Sequence, residues 1–229
     1  MMKDPAQARP YGFTLVELLV AIVIIAILSV TALAVARSAK AKAEGAECLS
    51  QIRQCGSALL QAAMDDHGRL RLSNDAAGDL TTLPFGVIAG QLDPQVLDGQ
   101  SDFKVIHCPT APTPQQRHVN CYGVNFADSE MAGAAWVQEE SGLLRLTLSS
   151  VRHSNRFPLV IDSCISNGSE EFQLSGSTRP GLRHNGKANA FFLDGSTRPL
   201  GLDDLGRAGF TEAFDCSERT PQLVNLPQS

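Results

Sequence analysis

The sequence contains no C-x-x-C pair, no G-x-S-x-G string and no loop with the alternating acids of an EF-hand. The first absence removes zinc-ribbon and thioredoxin-like sites. The second removes the nucleophile elbow of an α/β-hydrolase. The third leaves Asp162, Asp194, Asp203 and Asp204 as acids without the spacing that places several oxygens around calcium. Aromatic residues are only 6% of the chain, and no basic run interrupts a net charge of −5. With a pI near 5.5, nucleic acid is not an expected partner. Internal repeats and low-complexity tracts are missing as well. These patterns predict no metal, no cofactor and no enzymatic activity.

What is present begins near the N-terminus. From Phe13 to Ala36 the chain runs 24 residues with Glu17 as the only charge. As a helix, that length crosses a hydrocarbon core about 30 Å thick. An acid in such a run costs roughly 2.5–3.5 kcal/mol at the bilayer centre and less near the interface, so Glu17 calls for a compensating partner. The order of elements is not that of a secretory signal, because the small residue Gly12 precedes the apolar run and cutting there would retain it. Charge does not settle orientation: Lys3 and Arg9 precede the span, while Arg37, Lys40 and Lys42 follow it.

From Arg37 to about Met64 the composition remains that of a helix, without proline. Cys48, Ile52, Cys55, Leu59 and Ala62 recur at helical spacing and form one apolar stripe, read as the face that packs on the following domain. Gly45 and Gly56 each weaken this rod by about 1 kcal/mol relative to alanine and are the expected places for it to bend or fray. Asp65-Asp66-His67-Gly68 reads as its end. Span and rod together predict a helix of about 50 residues, roughly 75 Å long.

After Gly68 the pattern becomes short segments separated by turn signals. Leu83–Leu92 fits a helix or a strand. Phe103–Cys108, Cys121–Asn125, Leu143–Leu148 and Arg156–Asp162 read as strands. Residues 167–178 read as an exposed loop, and the tail from Leu202 as irregular. The clearest hairpin is Ala188–Leu200, turning at Asp194-Gly195 in type I′ geometry, with Pro199 marking an edge strand.

The six cysteines are Cys48, Cys55, Cys108, Cys121, Cys164 and Cys216. Free buried thiols and disulfides are both compatible with their spacing. Outside the cytoplasm, Cys108–Cys121 is the first candidate pair and Cys164–Cys216 the second. Cys48 and Cys55 share a helix face but lie about 10 Å apart in rise, too far to bridge. His107, His118 and His153 are scattered among loops and strand ends.

Gly12-Phe13-Thr14-Leu15-Val16-Glu17 before an apolar helix resembles the class III signal of type IV pilins and pseudopilins. The resemblance implies cleavage after Gly12 by a prepilin peptidase and N-methylation at Phe13. It also implies a helix that anchors in the inner membrane and then joins a filament core, with the N-terminus inside and the later residues outside. Further matches follow: Cys48, Gln54 and Gly56 in a C-x-N-x-L-x-Q-x-G-like stretch with Ser50 replacing Asn, then Cys108-Pro109, Tyr122–Asn125 and Ile161–Ser163. His184, nine residues and Asp194-Gly195 resemble the closing signature of the H-X9-DG subgroup. One departure is Ala34, where pilins commonly carry proline.

The expectation is therefore an α+β, pilin-like chain: leader 1–12, transmembrane helix and filament core 13–36, amphipathic stalk 37–66 and a β-rich extracytoplasmic domain 67–229. Its small antiparallel sheet domain would pack on the long helix. Its partners would be the prepilin peptidase/N-methyltransferase, other pilin-like subunits and the inner membrane. In a filament, Glu17 would neutralise the Phe13 amine of a neighbour. The alternative is a membrane-tethered extracytoplasmic binding domain that uses the signal only as an anchor. His184 and Asp194 are read as a structural pair, with Asp194 forming the turn and His184 bonding nearby.

Overall fold

The computed structural model describes residues 14–75, 79–92, 104–112, 121–127, 133, 135–217 and 220–227. Two compact units divide between Lys42 and Ala43.

Helix α1 runs from Leu15 to Asp65 without interruption. Its N-terminal part, in the first unit, has a window of 18 residues with a mean hydropathy of 3.1 and no buried residue. Leu15, Leu18, Ile25 and Leu28 are each more than half exposed, as a lipid-facing helix requires and a soluble one avoids. Ser29 and Thr31 direct their hydroxyls to the carbonyls of Ile25 and Ile27, one turn back, so no polar group projects from this surface unpaired.

In the second unit the rest of α1 buries one face. Cys48, Ile52, Cys55, Leu59 and Ala63 are fully enclosed and join Leu70, Leu72, Phe157, Val160 and Phe191 in the main core. The apolar stripe thus packs as its spacing predicts, with Ala63 rather than Ala62 as its last buried member. The helix continues through Gly45 and Gly56. A Cβ on Gly56 would lie 2.2 Å from the Phe191 ring, so this glycine marks a close approach of helix to strand. The helix stops where His67 and Gly68 take positive φ, and the Gly68 N–H bonds the Ala63 carbonyl at 2.8 Å.

Eleven strands form three sheets among the described residues. The first sheet has the order β1 (Arg69–Leu72), β4 (Leu144–Thr147), β3 (Trp136–Gln138) and is antiparallel. The central sheet has the order β2 (Gly123–Val124), β5 (Pro158–Ile161), β8 (Ala188–Phe192), β9 (Thr197–Leu200), also antiparallel. β5 and β8 are buried throughout, which explains the apolar run of β5; the one polar residue of β8, Asn189, is buried as well. β9 lies at the sheet edge, where Pro199 leaves no ladder bond missing. The third sheet, β11 (Gln222–Asn225), β10 (Glu212–Asp215), β7 (Arg179–Leu182), β6 (Ser163–Cys164), contains one parallel pair, β10 with β7.

Several sequence expectations are corrected here. Leu83–Leu92 resolves as helix α2 (Pro84–Leu92). Lys104–Ile106 is a 3₁₀ turn rather than a strand; the Cys108 N–H donates to the buried Glu170 carboxylate at 3.0 Å instead of a ladder partner. Phe103 lies outside the described residues. Segment 167–178 is not an exposed loop, because Glu170, Phe172, Leu174 and Thr178 are buried. The tail is regular, with α3 (Leu202–Arg207), β10 and β11.

The β8–β9 hairpin also turns differently. Only Gly195 has positive φ; Asp194 does not, so type I′ is ruled out. Phe192 and Ser196 close a three-residue loop in which the Gly195 N–H bonds the Phe192 carbonyl at 2.9 Å. A left-handed glycine ending such a loop is the bulged alternative to the two-residue turn. The two-residue type I′ turn lies earlier, at Asn185-Gly186, both with positive φ, where His184 and Lys187 exchange two backbone hydrogen bonds.

Candidate functional site

At the start of α1, the Thr14 N–H and hydroxyl both donate to Glu17 Oε2 at 2.8 Å, and the Glu17 N–H donates to Thr14 Oγ1 at 3.2 Å. This reciprocal pattern is a capping box; it satisfies two donors that a helix start leaves open. The only acid of the apolar run is therefore occupied within its own chain. Gly12 and Phe13 lie outside the described residues.

The second cluster is buried in the other unit. Four separated segments bring Cys48, Cys108, Asp162 and His184 together, with one ligand atom from each within 4.8 Å of all the others. Cys48 comes from the buried face of α1. Cys108 follows the 3₁₀ turn, Asp162 follows β5, and His184 is set by the Asn185-Gly186 turn before β8. Cys48 Sγ lies 3.1 Å from Asp162 Oδ1. Cys108 Sγ lies 3.2 Å from His184 Nε2 and 3.1 Å from Thr110 Oγ1. His184 Nε2 is 3.5 Å from Asp162 Oδ2, which accepts the Asn189 N–H at 2.8 Å.

The electrostatics follow from this crowding. Hydrogen bonding from the Cys48 thiol, then from His184, holds the Cys108 thiol below its ordinary range. Burial pushes the Cys48 thiol up, with the Cys108 sulfur and Asp162 adding to the rise. Burial also raises the Asp162 carboxyl, to about 8, helped by the neighbouring Cys108 sulfur. For His184 burial opposes the charge, yet Cys108 and Asp162 outweigh it and the imidazole is raised.

His184 and Asp194 have separate surroundings. Asp194 accepts from the Ser196 N–H at 2.9 Å and the Ser196 hydroxyl at 2.6 Å, ordering its own loop. His184 turns instead to Cys108 and Asp162. Cys48 and Asp162 were absent from the expected site residues. Sequence reading placed Cys48 in the apolar stripe and a family-like stretch, and Asp162 among scattered acids at the end of a buried strand, without joining the two. The Asn-Gly dipeptide after His184 was the local signal that fixes the imidazole.

No disulfide joins any of the six cysteines in the structure. Cys108 and Cys121 do not pair, because Glu170 fixes the Cys108 backbone and its sulfur faces His184 and Cys48. Cys121 is buried elsewhere in the core, where desolvation raises its thiol well above the usual range. Cys164 and Cys216 stand together: the Cys216 thiol donates to the Cys164 sulfur at 2.8 Å. This contact, then the nearby Arg183 charge, lowers the Cys164 thiol despite burial.

Comparison with known proteins adds one finding at the other end of the chain. Residues 8–33 match the family model described as the prokaryotic N-terminal methylation motif. No curated protein matches the chain. No solved structure matches it either. The chain thus carries a prepilin-type signal directly ahead of an exposed apolar helix, on an α+β fold compatible with pilin-like architecture.

Proposed function

We propose that the protein is a structural subunit, major or minor, of a type IV pilus-like or type II secretion pseudopilus filament, in the H-X9-DG group of prepilin-like proteins. Prepilin peptidase would cut after Gly12 and Phe13 would be methylated. α1 would hold the chain in the inner membrane with the residues beyond it outside. The observation that carries this reading is the methylation motif abutting a helix whose apolar surface is wholly unburied within its own chain. Such a surface is satisfied by lipid and afterwards by the helices of other subunits.

The Thr14–Glu17 capping box fits a waiting state. In a neighbouring subunit's reach, the Phe13 amine would replace the Thr14 donors as the partner of Glu17. Desolvated opposite charges then neutralise each other and fix axial register, and removing one partner costs roughly 3–5 kcal/mol.

Glu17→Ala tests the assignment. Processing and membrane level are expected to persist while co-purification with other filament subunits is lost. Wild-type co-assembly of the variant would contradict the role given to Glu17, and a wild-type protein that joins no filament subunits would favour the tethered binding domain.

A further inference from the structure

We propose that Cys48, Cys108, Asp162 and His184 form a closed tetrahedral zinc site that staples the buried part of α1 to the sheets behind it. The proposal stands apart from the filament reading, since nothing in it requires assembly.

The donor set is the first argument. Two thiols, an imidazole nitrogen and a carboxylate oxygen are the ligand types zinc takes, whereas calcium and magnesium demand oxygen. Zinc bonds of about 2.0–2.3 Å make the edges of a tetrahedron about 3.3–3.8 Å. Cys48 Sγ lies 3.1 Å from Asp162 Oδ1 and Cys108 Sγ lies 3.2 Å from His184 Nε2, close to such edges, and one donor atom from each of the four residues lies within 4.8 Å of the others. Separations near that upper limit would have to close by about 1 Å around the ion.

The second argument is the way the groups meet. In a cysteine–histidine–aspartate catalytic triad, thiol and carboxylate occupy opposite nitrogens of the imidazole. Here Cys108 and Asp162 both face Nε2. A proton cannot be relayed through the ring from that arrangement, but a cation can sit where the four atoms converge. Asp162 is also completely buried, and no Lys or Arg pairs with it among the described residues. An enclosed carboxylate without a permanent cation is costly, and zinc supplies the missing charge.

The surroundings match a built site. The Asn189 N–H holds the carboxylate through Oδ2, leaving Oδ1 toward the cluster. Thr110 Oγ1 lies against the Cys108 sulfur. Such supporting contacts orient metal ligands and tune their affinity. On binding, the protons held among the four groups would pass to solvent, so that Cys48 and Cys108 ligate as thiolates, His184 as a neutral imidazole and Asp162 as a carboxylate. Four protein ligands leave no open position, so the role is structural.

Elemental analysis of the untagged, mature full-length chain, purified in detergent from zinc-replete cells and dialysed, is expected to find about one zinc per molecule. Cys108→Ser and His184→Ala should each bring it to background, and Cys55→Ser should not. Zinc below a tenth of stoichiometry, or zinc unaffected by the two ligand variants, overturns the proposal. Should those variants fail to fold, the wild-type chain decides. Chelator treatment should lower Tm, and Zn²⁺ alone, not Mg²⁺ or Ca²⁺, should restore it. A Tm indifferent to Zn²⁺, or a Cys48–Cys108 disulfide in the native protein, also overturns it.

Discussion

Two glycines in one helix make opposite demands on the residue beside them. A Cβ on Gly56 would enter the Phe191 ring at 2.2 Å, and that ring is buried. Gly56→Ala should therefore lose about 1–2 kcal/mol net, overpacking outweighing the gain of about 1 kcal/mol in helix propensity. At Gly45 the same atom would meet His184 Nδ1 at 3.7 Å, an ordinary contact. Gly45→Ala should be neutral or stabilising by up to about 1 kcal/mol. Thermal unfolding of the two variants under one buffer checks the contrast, and equal effects would refute the packing assigned to Gly56. Leu59, fully buried on the same face, should cost about 2–5 kcal/mol on truncation to alanine. Sequence reading captured Glu17 and the stripe of Cys48, Ile52, Cys55 and Leu59, because charge in an apolar run and helical spacing are local signals. It did not capture the joining of Asp162 with Cys48, because the two lie 114 residues apart along the chain.

Between elements, the cysteines separate into two chemistries. Cys164 on β6 and Cys216 just beyond β10 face each other at 2.8 Å, across the third sheet. In an oxidising compartment they should form a disulfide, and closing the chain between them stabilises by about 4 kcal/mol on loop entropy. Non-reducing peptide mapping of protein from its native membrane should recover the Cys164–Cys216 linkage, with Cys55 and Cys121 unlinked. Recovery of Cys108 joined to Cys121 would contradict the observed core. The elements show what composition can convey. Alternation revealed β4 and an apolar run revealed β5, since burial imposes those patterns, while β8 was found through its hairpin with β9. The tail and the 167–178 segment were misread because short, polar strands gain their order from neighbours rather than from their own periodicity. The hairpin signal was read at Asp194-Gly195, although Asn185-Gly186 holds the type I′ geometry.

At the scale of the whole molecule, the two units solve different problems. The N-terminal part of α1 has no buried surface, so its stability comes from a surrounding membrane or from other helices. The unit from Ala43 onward has its own core, with the α1 stripe as one wall. The proposed filament role would use this division: a helix that leaves lipid for a bundle, and a domain that stays folded throughout. The prepilin-type signal is the feature on which the functional account rests, and it makes a direct chemical claim about the mature terminus. Intact-mass and terminal-peptide mass spectrometry of the protein from its native membrane reads that claim. The account predicts a chain beginning at N-methylated Phe13; a chain retaining Met1, or one cut anywhere other than after Gly12, would contradict it.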